Sequence, residues 1–426
     1  MRIPEAVLQY AEKLERAVNQ KYPALGKLAK QCYLNTIETT VKQCENGDWF
    51  VITGDIPALW LRDSAAQLRP YMPLCAESEA LREIIKGVIR RHAFYIGIDP
   101  YANAFNEGPT GGEHTADETD FYSEYIWERK YETDSLCASV YLLADYYDAS
   151  ADDSVFTEEV HGMLRRILDT LITEQNHPEN SAYFFRRTDC PETDTMPQDG
   201  KGNPTGYTGM TWSGFRPSDD RCFYNYLIPA NMMCAVAAKR AAALLEKGWN
   251  DVEYAAKARR LAQDVDDGIQ AYGVVPHRTF GKIYAYETDG LGHYILMDEA
   301  NSPSLLSMPY LGYCDKTDEL YQNTRRFILS QENPFYFSGA AAHGIGSPHT
   351  GADKIWHISL TMQILTSIDP AEIEDCLAML SRTHADTFFM HESFNKDDPA
   401  DYTRSWFAWA NSLFAQMLIQ QFMKDE

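Results

Sequence analysis

An alternation of link lengths constrains this chain more than any single motif does. After an opening amphipathic helix in MRIPEAVLQYAEKLERAV, apolar residues recur with a 3.6-residue period near 24–45, 64–76, 79–97, 132–149, 155–175, 224–247, 251–272, 304–312, 317–331, 352–368, 371–386 and 403–424. Some links between these segments are tight, as at Ala76-Glu77-Ser78 and at Asp369-Pro370, where proline starts the next helix. Others, at 98–131, 176–223, 273–303, 332–351 and 387–402, are long and rich in Gly, Pro, aromatic and charged residues. Paired helices with alternating links predict an all-α fold, a closed double ring or (α/α)6 toroid, with the long loops collected at one face to carry function. Short β-hairpins are expected in those loops, as at Lys282-Ile283-Tyr284-Ala285-Tyr286. No Pro/Ser linker interrupts the pattern, which predicts one domain over 1–426.

Alternate helices open on polar residues: Trp60-Leu61-Arg62-Asp63-Ser64, Tyr131-Glu132-Thr133-Asp134-Ser135, Ser218-Asp219-Asp220, Asn301-Ser302-Pro303-Ser304, Gly351-Ala352-Asp353 and Tyr402-Thr403-Arg404-Ser405. Any one of them reads as ordinary N-capping. Six in the same phase would also ring one mouth of the toroid with polar groups.

Composition removes several classes of function. A net charge of −24 repels phosphate backbones and anionic lipid, which argues against nucleic acid and membrane partners. Nine cysteines without a CxxC pair predict neither a disulfide framework nor a zinc knuckle. The opening segment is charged rather than signal-like, and no uncharged apolar run reaches ~18 residues. A reduced, cytoplasmic protein is the expectation.

Phosphate loops, a GxSxG elbow and HExxH are all absent. Two acidic segments stand out instead. Gly209-Met210-Thr211-Trp212-Ser213-Gly214-Phe215-Arg216-Pro217-Ser218-Asp219-Asp220 sets adjacent aspartates among aromatics, where one carboxyl can stay protonated as a general acid; a capping Asp with an Arg partner explains the segment equally well. Phe388-Phe389-Met390-His391-Glu392-Ser393-Phe394 holds a lone Glu among hydrophobic residues, a candidate general base. Inverting hydrolysis of a glycoside needs one protonated and one ionised carboxyl, ~6.5–9.5 Å apart. His343, His349 and His357 match no common zinc spacing and read as pocket or core histidines. Glu113-His114 with Asp117, Glu118 and Asp120 lacks EF-hand spacing and reads as a solvated acidic loop.

At these residues the sequence resembles the glycoside hydrolases of family 125, bacterial exo-acting α-1,6-mannosidases. The resemblance runs through Gly54-Asp55-Ile56-Pro57-Ala58-Leu59-Trp60-Leu61-Arg62-Asp63-Ser64, Lys130-Tyr131-Glu132-Thr133-Asp134-Ser135-Leu136-Cys137, the Trp212–Asp220 stretch and His391-Glu392-Ser393-Phe394. It implies an (α/α)6 barrel and inverting hydrolysis without metal or cofactor. Asp220 matches the acid, with Asp219 one position away, and Glu392 matches the base. Trp60, Arg62 and Asp63 are expected to wall the terminal-sugar subsite. Arg216, His277, Asp298, Asn301, His349 and Arg404 are expected to bind substrate from the mouth. The implied partner is an α-mannoside oligosaccharide, and the protein is expected to be a monomer or weak dimer. Two rival readings remain: a sugar 2-epimerase or isomerase using histidines on the same toroid, and a non-catalytic glycan-binding protein.

Overall fold

A computed structural model describes residues 3–113 and 117–423. Its helices, in chain order, are α1 (Glu5–Lys21), α2 (Gly26–Asn35), α3 (Leu61–Leu68), α4 (Glu79–Ile98), α5 (Thr133–Ser150), α6 (Glu158–Thr173), the short α7 (His177–Asn180) and α8 (Pro197–Gly200), α9 (Ile228–Trp249), α10 (Val252–Gly268), α11 (Glu319–Ile328), α12 (His357–Thr366), α13 (Pro370–Arg382) and α14 (Ala408–Phe422).

These helices form the double ring that the alternating links predict. In the inner layer α3 packs on α5, α5 on α9, and α14 closes the circle by packing on both α3 and α12. The outer layer lies behind it: α2 on α14, α10 on α9, α13 on α12, and α4 against α6. The two layers differ in composition for a physical reason. An outer helix buries one stripe, as α6 does with Val160, Met163, Leu164, Ile167, Leu168 and Leu171. Each such aliphatic side chain contributes about 2 kcal/mol on leaving water. An inner helix has protein on every side, so all of α12 is buried. Inner helix α9 is long and apolar enough to match a membrane span in composition, yet most of it is buried in the fold.

Short strands deliver the chain into the inner helices. Leu59–Trp60 precedes α3 and pairs with Ala104–Phe105, which pairs with Ile126–Glu128. Tyr226–Leu227 precedes α9 and pairs with Glu287–Thr288. Lys354–Trp356 precedes α12 and pairs with Ser393–Asn395, which pairs in turn with Tyr402–Thr403. The expected hairpin is present as Gly281–Tyr284 against Val274–His277.

One expected helix is absent. Residues 304–312 form successive turns. Leu305, Leu306, Met308 and Leu311 are buried, so the apolar spacing reported burial correctly. Pro303, Pro309 and Gly312 interrupt the segment and favour turns. Several boundaries also move. The segment expected at 24–45 is α-helical to Asn35 and π-helical over Thr36–Thr40 before a strand begins at Val41, and α14 begins at Ala408 because Tyr402–Thr403 is a strand.

Candidate active site

Side-chain caps are distributed unevenly between the two rings. Outer helices α4, α6, α10 and α13 carry one, from Ser78, Thr157, Asp251 and Asp369, as does α11 from Asp318, although outer helix α2 does not. Inner helices α3, α5, α9, α12 and α14 carry none. Polar side chains at the starts of the inner helices, Arg62 and Asp63 among them, are engaged elsewhere, around a cavity of about 350 Å³ that Glu392 also lines. The positive ends of helix dipoles favour anionic groups nearby, which suits a pocket crowded with carboxylates.

Of the residues expected at the site, Asp220, Glu392, Trp60, Arg62, Asp63, Asn301, His349 and Arg404 line this cavity. Arg62 is buried at its base. It reaches Glu132 (2.6 Å), Asp134 (3.0 Å), Asp219 (3.4 Å) and Asp63 (3.6 Å). Trp409, Trp356 and Phe407 add further aromatic wall.

Asp220 is buried, and its Oδ1 meets Nδ1 of His349 at 3.1 Å. Its Oδ2, the Oδ1 of Asn301 and the Nε1 of Trp60 are buried without a hydrogen-bond partner among the described residues. Buried polar atoms left unpaired on cavity-lining residues are groups a ligand can satisfy. Burial disfavours the His349 imidazolium, but its hydrogen bond to Asp220 and the charges of Asp220, Glu392 and Asp219 outweigh this and push its pKa up to about 9. His349 therefore holds a proton at neutral pH. Glu299 organises this wall, accepting hydrogen bonds from Ser218 (2.9 Å), Tyr286 (2.8 Å) and Ser347 (2.8 Å).

Glu392 stands at the start of strand Ser393–Asn395. Its Oε2 accepts from Thr403 Oγ1 at 2.9 Å, and Arg404 lies 3.8 Å from Oε1. Asp219, beside the first carboxylate, and Arg404, beside the second, have positive φ of 65° and 47°. Strained non-glycine backbone of this kind concentrates at functional sites.

Glu132 is the principal residue that sequence reasoning missed. It accepts from Arg62 and from Ser135 (2.7 Å), and its carboxyl is hydrogen-bonded to that of Asp219. Two carboxyls in contact share a proton. Burial, opposed by Arg62 and reinforced by Asp219 and Asp134, raises Glu132 well above the usual range. Asp219 is pulled the other way. Burial raises it, but Arg62, the bond from Glu132, Lys130 and His349 together hold it at about 2. Glu132 thus carries the proton and Asp219 the charge.

Three expected binding residues lie elsewhere. Arg216 is buried against Glu287 at 2.6 Å, fixing a loop. His277 packs on Phe280 and Phe327 near Glu332. Asp298 accepts the backbone N–H groups of Leu305 and Leu306, both at 2.9 Å, and so caps the turns that replace an inner helix; burial pushes its pKa up to about 8 despite those bonds. His277 and Asp298 are expected at the mouth from sequence position and Arg216 from its segment beside Asp220, and all three side chains are turned into the scaffold.

Of the other histidines, His343 pairs with Asp375 at the surface, and His357 is buried beneath the backbone of His391, its pKa driven down to about 3 by burial. The acidic loop is ion-paired rather than merely solvated: Asp117 binds Arg187 at 2.8 Å and Asp120 binds Arg129, while His114 lies outside the described residues. Among the described residues, no three His, Cys, Asp or Glu side chains are grouped as metal ligands.

A helical toroid with carboxylates gathered in one pocket is the architecture of the (α/α)6 glycosidases. A bacterial glucoamylase complexed with acarbose shares this fold, with a TM-score of 0.58 at 11% identity over 86% of this chain and 50% of that one. The chain belongs within that class to the family described as metal-independent α-mannosidase (GH125), whose profile matches residues 22–419. A Streptococcus pneumoniae metal-independent α-mannosidase, solved in a non-productive complex with α-1,6-mannobiose, is similar to it throughout: TM-score 0.96, 41% identity, and full coverage of both chains. The meiotically up-regulated gene 157 protein of Schizosaccharomyces pombe is 38% identical over 416 residues, spanning 93% of this chain and 82% of that protein.

Proposed function

We propose that this mannosidase is an exo-acting, inverting hydrolase that releases terminal α-1,6-linked mannose from oligosaccharides. The observation that carries the reading is the placement of Asp220 and Glu392 on one cavity, each in a different hydrogen-bonded setting. Asp220, hydrogen-bonded through Oδ1 to His349 and presenting an unpaired Oδ2, protonates the departing glycosidic oxygen, with His349 supplying the proton. Glu392, oriented by Thr403 and Arg404, takes a proton from the water that attacks the anomeric carbon from the opposite face. Arg62 and Asp63 bind hydroxyls of the terminal mannose, and fixing it there lowers the barrier by holding a near-attack geometry. The linkage rests on likeness to the pneumococcal enzyme bound to α-1,6-mannobiose.

Proton NMR of the first product tests the stereochemistry. β-Mannose is expected to precede the α-anomer, and initial α-mannose would mean retention. The histidine-based isomerase reading finds less support, because only His349 of its three histidines lines the cavity. If Glu392→Gln kept full activity while His349→Ala abolished it, hydrolysis by the carboxylate pair would be the wrong mechanism.

A further inference from the structure

Three residues after Asp220, the chain turns outward at Phe223, whose side chain is 47% exposed. An exposed aromatic ring on a loose loop would mean little, but this one is mounted rigidly. Its backbone N–H donates to Oε2 of Glu287 at 2.9 Å, as does that of Tyr224. Its carbonyl accepts from Asn203 Nδ2 at 2.8 Å. Glu287 is fully buried and clamped by Arg216 at 2.6 Å. A buried ion pair thus fixes the backbone of two neighbouring aromatics while leaving one ring open.

The rings form a row. Phe223 meets Tyr224 edge-on at 5.1 Å, and Tyr224 lies against exposed His293 at 6.0 Å in a stacked arrangement. The row stays attached to the pocket rim, since Arg221 N–H donates to the carbonyl of Thr193, a cavity-lining residue, at 2.7 Å. Three residues of chain span at most ~10 Å, about two sugar rings. None of these three rings lines the cavity itself.

We infer that the Phe223–Tyr224–His293 row is a subsite for the leaving part of the substrate, binding mannose units beyond the cleaved bond. This rests on the reading of Asp220 as the acid, because an acid must stand on the leaving-group side of the bond it breaks. The strand of chain leaving Asp220 therefore runs out along the path of the departing oligosaccharide. Pyranose rings present apolar C–H faces that pack on aromatic rings, and a fixed exposed strip is the surface that recognises them.

The experiment compares kcat/KM for α-1,6-linked mannotriose with kcat/KM for α-mannosyl fluoride, which has no sugar on the leaving side. Phe223→Ala is expected to lower the mannotriose-to-fluoride ratio about fivefold to tenfold, the size of one aromatic contact. Phe223→Trp restores it. A ratio unchanged in Phe223→Ala overturns the subsite, as does a loss of equal size on both substrates. Asp220→Asn separates the underlying reading: it abolishes mannotriose turnover and spares the fluoride, whose departure needs no proton. Loss of both or neither would instead displace Asp220 as the acid, whatever Phe223 does.

Discussion

The proton assigned to Glu132 makes a strong test, because it predicts that removing a buried acid will help the protein. Glu132 is 1% exposed and its pKa is raised from an ordinary 4.5. Above pH 4.5 the unfolded chain releases this proton and the folded protein keeps it. Folding stability then falls with pH by about 1.4 kcal/mol per unit until the folded group itself ionises. In Glu132→Gln the amide donates to Asp219 as the protonated carboxyl does, and its oxygen still accepts from Arg62. The slope disappears, so the variant gains on the parent by up to about 3 kcal/mol between pH 5 and 7. Glu132→Ala removes the acceptor for Arg62 and Ser135 and is expected to cost about 3–5 kcal/mol. Urea unfolding at pH 5, 6 and 7 measures all three proteins, with kcat/KM of the Gln variant expected within about threefold of the parent. Parallel pH curves for parent and Glu132→Gln, or a Gln variant as damaged as the Ala variant, would refute the shared proton.

Other expectations follow from neighbouring geometry. His349 is protonated up to about pH 9, so kcat/KM should fall as pH rises through that value; His349→Asn should remove this limb from the pH–rate profile. Asp298→Ala leaves two backbone N–H groups without their acceptor and should cost about 2 kcal/mol in chemical denaturation, with activity per folded molecule retained. Gly54 has φ of 133°, and a Cβ there would lie 2.4 Å from the carbonyl oxygen of Trp406; Gly54→Ala should therefore lower the melting temperature and weaken substrate binding together.

The ring was legible because its two layers obey different rules of burial, and both leave periodic apolar residues in the sequence. The same signal misled at 304–312, where four buried apolar residues sit at helical spacing on a chain that Pro303, Pro309 and Gly312 bend into turns. Periodicity reports which residues face protein; it does not report whether the backbone between them is helical. At the site, adjacent aspartates and an isolated Glu were visible as chemistry. Arg216 and Asp298 were equally conspicuous, and nothing local distinguished a charge aimed at the cavity from one bracing a loop. Glu132 stood in plain view in Lys130-Tyr131-Glu132-Thr133. Its role depends on contact with Asp219, 87 positions later, which no local pattern encodes.

Arg404 and Asp55 are paired across 349 positions of chain. Around them Asp55 N–H donates to Trp406, and Ala408 N–H donates to Thr53, so the first link of the ring is stitched to the last. The cavity spans this seam. During synthesis, the segment carrying Thr53, Trp60 and Arg62 is made early and must wait for Glu392, Arg404 and Trp409 before it has anything to enclose. Contacts this distant in sequence form late in folding and slow it. A chain lacking Glu392, Arg404 and Trp409 therefore holds half a pocket, and removing α14 is expected to abolish activity.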